Sequence, residues 1–258
     1  MAPGTNLSVL AHEVETTPPS TLPHNKGATV LNPALITQEF DGLRFEAAAA
    51  RQLDPSSHLP PSAPKTQLGG PPRESSFLIS SPYNNPGHYL DLSTLDTPNL
   101  IFAKALTALQ PVVTDYATAP YIECLNFRST VLQLVRDLAA VEGYEWKTHT
   151  FYVVVFRSKL KEDIDNDLLY KLDYESHREA CESGGLLKYW FGSPDGERKN
   201  LATCFWRSRE DAYKGGLGPW HAKARAAGRT MYEHIRFSTH QFTVLDGAEE
   251  VSFEEWVD

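Results

Sequence analysis

Across residues 147–246 the apolar positions switch between a spacing of two and a spacing of three to four. Their order predicts strand, helix, strand, strand, helix, strand. The first strand is expected over Thr148–Arg157. Its centre, Phe151-Tyr152-Val153-Val154-Val155-Phe156, is apolar at every position, whereas a strand with one wet face would alternate. Both faces of this strand are therefore expected to be covered. A helix is predicted over about Asp165–Ser183, stopped by Gly184-Gly185. A hairpin pairs Leu186–Gly192 with Asn200–Trp206 through Ser193-Pro194-Asp195-Gly196. Ser208, with Asp211 three residues on, reads as a helix N-cap. Pro219 opens a further helix to about Met231, and the last strand is expected over about Glu233–Leu245. A βαββαβ unit of this length predicts a ferredoxin-like sandwich of the α+β class. Its own helices cover one sheet face. The other face needs a homodimer partner or another part of the chain, and the homodimer is the first choice.

Upstream, Asp96-Thr97-Pro98 starts a helix whose apolar face is Leu100, Ile101, Ala105, Leu106 and Leu109, ended by Pro111. Residues 112–125 read as irregular. A second helix is expected over about Phe127–Glu142, where Val131, Leu134, Val135 and Leu138 recur on one face. Trp256 is expected to pack back onto the body. Residues 1–75 differ sharply: they hold eleven of the eighteen prolines but only Phe40 and Phe45 of the aromatics. So little apolar surface cannot offset the entropy of ordering. The expected organisation is a disordered arm over 1–75, a helical part packed on the core over 76–146, and the ferredoxin-like domain over 147–258. Thr37–Arg51 is the weak exception, a candidate short helix.

The formal net charge of −9, without a basic stripe, argues against a nucleic-acid partner. No apolar run is long enough to span a membrane. The N-terminus lacks a basic segment followed by an apolar one, so no secretory signal is read, and it is too acidic for a mitochondrial presequence. Cys124, Cys181 and Cys204 form an odd set without a CxxC, which suits a reducing compartment. A cytoplasmic location is the default expectation.

Four stretches together resemble a fungal protein family: Leu187–Gly192, Asn200–Ala212, Asp115–Tyr121 and Ser176–Gly185. The resemblance spans about residues 85–258. It implies a dimeric α+β-barrel-like fold, in a family with some members encoded among secondary-metabolite genes, where such folds bind small organic molecules. The chain departs from the pattern after Pro219, where Trp220-His221-Ala222-Lys223-Ala224 stands in place of a more basic run.

Candidate chemistry is sparse. The nine histidines show no HxxxH spacing, and His234 and His240, on one strand face, are separated by roughly 20 Å. No metal site is expected. Gly215-Gly216-Leu217-Gly218 lacks the spacing of a dinucleotide loop, so no nucleotide cofactor is expected either. The helix start at Trp220 could hold an anion, with Lys214, His221 and Lys223 nearby. Asp173, His177 and Cys181 share one helix face at i, i+4 and i+8, a spacing that suits a nucleophile arrangement but equally a polar flank. The aromatic set Tyr152, Phe156, Tyr189, Trp190, Trp206, Trp220 and Tyr232 suits either one small-molecule cavity or plain core packing. His177, Arg209, His221 and His234 are the polar groups expected near it, with His177, Arg209 and His221 as catalytic candidates. The expectation is a cofactor-independent cyclase or isomerase, of Diels–Alderase type, acting on a small apolar substrate. The alternatives are a cofactor-free monooxygenase and a non-catalytic ligand-binding or interaction protein.

The composition of 1–75 predicts that their amides exchange without protection in a hydrogen-exchange experiment. Strong protection across residues 5–70 would contradict it.

Overall fold

The computed structural model describes residues 77–83 and 87–257. The arm expected over 1–75, with its candidate helix, lies outside them. The class is α+β. A five-stranded, wholly antiparallel sheet runs in the order β4-β5-β3-β6-β7, with β3 (His149–Leu160) at its centre. β4 (Leu186–Phe191) and β5 (Lys199–Trp206) form the expected hairpin. β6 (Tyr232–Val244) pairs with β3 along nearly its whole length. β7 (Val251–Glu255), which the hydrophobic pattern did not show, pairs with the second half of β6 and leaves its first half as an edge.

Alternation along β3 divides the core. Phe151, Val153 and Val155 face one side and Tyr152, Val154 and Phe156 the other. The first side meets α1 (Thr97–Ala105) and α3 (Leu132–Val141), which is entered through a π-helical turn, Phe127–Val131. Asp96 caps α1 by accepting from Asn99 N, with Pro98 in the first turn as expected. Phe102 on α1 stacks on Phe151 at 3.9 Å, and Phe127 lies 4.8 Å from Phe242. The outer cover of the sheet is thus the chain's own helices, and a homodimer is not what covers it.

Residues 112–125 are more ordered than expected. A short helix, α2 (Tyr121–Cys124), starts at Pro120 and sends the buried Tyr121 hydroxyl to Thr203 Oγ1 at 2.7 Å. The Arg157 guanidinium donates to the carbonyls of Tyr116, Ala117 and Ala119, pinning this loop over β3.

The second side meets α4 (Asn166–Ser183), capped by Asp165 and closed by Gly184 and Gly185, both at positive φ. α5 (Arg209–Gly215) begins at Ser208, whose Oγ accepts from Asp211 N at 3.1 Å as the sequence indicated. Gly215 lies where a Cβ would meet the Trp206 ring at 2.3 Å, so only glycine lets α5 settle on that indole. α6 (Pro219–Met231) packs along α4 through Leu169, Leu172, Trp220, Ala224 and Met231. Two further strands precede all of this. β1 (Phe77–Ile79) and β2 (Tyr89–Asp91) pair with each other, and Ser80 O accepts from Tyr189 N at 2.8 Å along the free side of β4. No helix among the described residues is long and apolar enough to cross a membrane.

Phe102 is fully buried and stacks on the central strand, so Phe102→Ala is expected to cost about 3–5 kcal/mol of stability in chemical denaturation. A loss below about 1 kcal/mol would mean that this layer does not carry the fold.

Candidate functional site

The second face of the sheet carries an unusual floor. β3 and β5 are interior strands, and their residues on the first face, Val155, Leu201, Thr203 and Phe205, are buried. On the second face Phe156, Ala202 and Cys204 are only half-buried. The register aligns these positions in rows. Tyr189, Cys204, Val154 and Thr239 lie side by side across β4, β5, β3 and β6. The next row is Phe191, Ala202, Phe156 and Phe237. Exposure rises toward the β6 edge, where Phe237 reaches 60% and its ring lies 5.4 Å from that of Phe156.

At the inner end of this floor stands Asp173 of α4. Its Oδ1 accepts from the Tyr189 hydroxyl at 2.6 Å and its Oδ2 from the Tyr83 hydroxyl. Tyr83 reaches in from the segment between β1 and β2, and its ring packs edge-on against Tyr170 and Tyr174 of α4. Burial pushes the Asp173 carboxyl up to about 6, although both tyrosyl hydroxyls pull it down. Burial, and then the Asp173 charge, hold the Tyr83 and Tyr189 hydroxyls well above their ordinary acidity range. Tyr232 is raised to about 12 for the same two reasons, so it too lies within the field of Asp173.

Next to this centre lies a histidine pair. Nδ1 of His88 is 2.8 Å from Nδ1 of His177, and the rings stack at 9°. One ring must donate its Nδ1 proton and the other accept, so the two are opposite tautomers. Burial lowers His88 to about 4, with the Arg178 charge adding to the effect, and burial also holds His177 well below its ordinary value, helped by His88 and His221. Cys181 Sγ lies 3.7 Å from His177, but burial, with Glu182, keeps the thiol protonated.

A family model described as PB2B2.08-like matches residues 79–255. The chain belongs to the PB2B2.08-like family. The UPF0643 protein PB2B2.08 of Schizosaccharomyces pombe is 33% identical over 187 residues, covering 70% of this chain and 84% of that protein. Among solved structures, a putative antibiotic biosynthesis monooxygenase from Nitrosomonas europaea is similar over 34% of this chain and 94% of its own, at 13% identity and a TM-score of 0.30. A putative antibiotic biosynthesis monooxygenase from Chloroflexus aurantiacus covers 42% and 94% respectively, at 17% identity and a TM-score of 0.29. The PB2B2.08-like match takes in every residue of the centre, from Tyr83 and His88 to Tyr232.

The aromatic set expected to line one cavity is divided. Phe156 and Tyr189 are in the floor, and Tyr152 lies one row further in, against Trp256 at 5.1 Å, so Trp256 does pack back. Trp206 is buried beneath Gly215. Trp190 points to the opposite face, into the buried core of that side, with its ring edge-on to Tyr116 at 5.6 Å, because alternation along β4 separates it from Tyr189. Trp220 sits in the seam of α4 and α6, with Lys223 Nζ 3.9 Å from its ring centre. His234 is exposed on the first half of β6, and Arg209 is exposed at the start of α5. His221 is held by Glu179: its ring Nδ1 lies 3.0 Å from Oε2. The same carboxylate accepts from Trp220 N and His221 N, so a side chain already occupies the expected anion position at the start of α6. Burial alone would raise Glu179, but these amides and the His221 ring hold it low. Asp173 does not order His177, because both its oxygens go to tyrosines. Tyr83 and His88 were missed, since they belong to a turn-rich segment with no periodic signal.

Asp173 supplies a pH test. Its carboxyl titrates at 3.8 ordinarily and about 6 when folded, so the folded state holds this proton more tightly. Its contribution favours folding at low pH and is lost as pH rises through about 6. His88 acts in the opposite sense, with stability lost as pH falls through about 4, but it is common to both proteins compared. The unfolding free energy of wild type, relative to Asp173→Asn, should therefore fall between about pH 4 and about pH 7. A difference independent of pH would mean that the Asp173 carboxyl is not pushed up in the folded state.

Proposed function

We propose that this chain is a cofactor-independent enzyme that moves a proton on a small apolar organic molecule, an isomerase or a cyclase. The observation that carries the reading is the Asp173 carboxylate, held by two tyrosyl hydroxyls at the inner end of an apolar floor. A carboxyl raised to about 6 is poised to take and return a proton near neutral pH. Asp173 takes a proton from a C–H beside a substrate carbonyl. The C–H electron pair moves into the new carbon–carbon double bond, and the carbonyl becomes an enolate oxygen. Tyr83 or Tyr189 turns its hydroxyl to donate to that oxygen. Return of the proton to a different carbon gives an isomer. Attack of the enolate carbon on a second carbonyl carbon of the same molecule closes a ring as that C=O π pair moves to its oxygen, and Asp173 returns its proton to the resulting alkoxide. Both outcomes conserve every atom of the substrate.

The unit around the site is read as a ferredoxin-like βαββαβ, with α4 as its first helix and its second split into α5 and α6. That reading rests on the order of strands and helices, and the fold alone assigns no reaction.

Extracts of cells lacking the gene test the proposal by mass spectrometry. Wild-type protein should convert a compound to an isomer of equal mass. Asp173→Asn should slow this by about 10²-fold or more without lowering the melting temperature. Tyr189→Phe, which keeps the ring, should slow it as well. A product that has gained an oxygen atom would replace this reading with a monooxygenase. A compound retained by the protein but never converted would replace it with a ligand-binding role.

A further inference from the structure

Along β5 the second face presents Cys204, Ala202 and Asn200, three residues without bulk. Larger side chains flank them. Tyr189 and Phe191 stand on β4, and Val154 and Phe156 on β3. The result is a groove with a small-residue floor and largely aromatic banks. From Cys204 to Asn200 it runs four residues, roughly 13 Å of strand. The inner end is Asp173 with its two tyrosines. The outer end is Asn200, which is only 7% exposed and whose Oδ1 has no hydrogen-bond partner among the described residues. A buried acceptor left unsatisfied is destabilising, so a group that donates to it is expected in the working protein.

The charge pattern narrows what fits. Three successive rows of this face carry no ionisable cation or anion. They are Tyr189 to Thr239, Phe191 to Phe237, and Asn200, Ser158 and Ile235. Burial and the two tyrosyl hydroxyls set the acidity of Asp173, and no cation contributes. An anionic ligand would meet a half-buried carboxylate with nothing to neutralise it. A bulky aliphatic ligand would not enter between banks one strand spacing to either side, about 5 Å. A flat ring would stack against Tyr189, Phe191 and Phe156.

Building on the reading of this face as a substrate site, we infer that its ligand is an uncharged, flat, fused-ring molecule lying along β5. It has an oxygen function at Asp173 and a hydroxyl that donates to Asn200 Oδ1. The roughly 13 Å between the ends, less the reach of the two side chains, suits two or three fused rings.

Titration calorimetry of the full chain with three probes tests this: 2,6-dihydroxynaphthalene, 2-naphthol and 6-hydroxy-2-naphthoate. The diol should bind wild type, and the naphthoate should bind at least about tenfold more weakly at pH 8. Asp173→Asn should abolish that discrimination. Asn200→Leu, of similar size, should weaken the diol by about five- to tenfold while leaving 2-naphthol unchanged. Ala202→Leu should fill the groove and weaken all three. Each variant is checked for an unchanged melting temperature. Where Asn200→Leu lowers it, Asn200→Asp replaces it and should weaken the naphthoate further relative to the diol. Naphthoate binding as tight as the diol on wild type overturns the proposal, as does an Ala202→Leu variant with unchanged affinities. These measurements need no turnover. Failure of the isomerase reading leaves the affinities standing, and failure of the affinities leaves an isomerase with a different ligand.

Discussion

β3 carries apolar side chains on both faces, and water must be kept from each. Antiparallel sheets commonly leave one face wet, so this strand imposes a third layer on the molecule. On one side the layer is α1, α3 and the loop that Arg157 pins by three carbonyls. On the other it is α4, with α5 and α6 behind it. The two covers differ in quality. The first is continuous, built of phenylalanines whose rings pack within 6 Å of one another, stacked, tilted or edge-on. The second leaves part of β3, β5 and β6 in view, and the candidate site occupies that gap.

Asp173 fits this asymmetry. A carboxylate buried within a closed layer would shed its charge or disrupt the fold. At the margin of an incomplete layer, two tyrosyl hydroxyls offset part of the desolvation. Those hydroxyls come from distant parts of the chain, Tyr189 on β4 and Tyr83 beside β1. The carboxylate therefore also ties the N-terminal strand pair to α4, and the His88–His177 pair makes a second tie between the same two segments.

Much of the architecture was legible because burial imposes period on sequence. The two-faced run Phe151–Phe156, the cap at Ser208 and the stop at Gly184-Gly185 each reflect a local physical demand. What covers the outer face was not legible. An amphipathic helix such as α3 shows that it will pack, but not on which surface. β7 and the β1–β2 pair were missed because strands this short lack a period of their own. The candidate site was less legible still. Tyr189 and Phe156 were in the aromatic set, yet Trp190 was too, and only alternation along β4 sends those neighbours to opposite faces. Asp173, His177 and Cys181 were correctly grouped on one helix face. Their partners were not visible, since Tyr83 and His88 lie about 90 residues away in a segment of turns. The aligned rows of the floor depend on strand register, which hydrophobic pattern does not fix between strands far apart in sequence.

The alternation along β5 has a consequence for how such a protein can diversify. Leu201, Thr203 and Phe205 point into the closed layer, while Asn200, Ala202 and Cys204 point into the groove. On the reading proposed above, one strand then holds two interleaved codes, with Leu201, Thr203 and Phe205 written for folding and Asn200, Ala202 and Cys204 for recognition. Under that reading a lineage can rewrite the second without disturbing the first, so ligand preference would drift at a pace that the scaffold does not share.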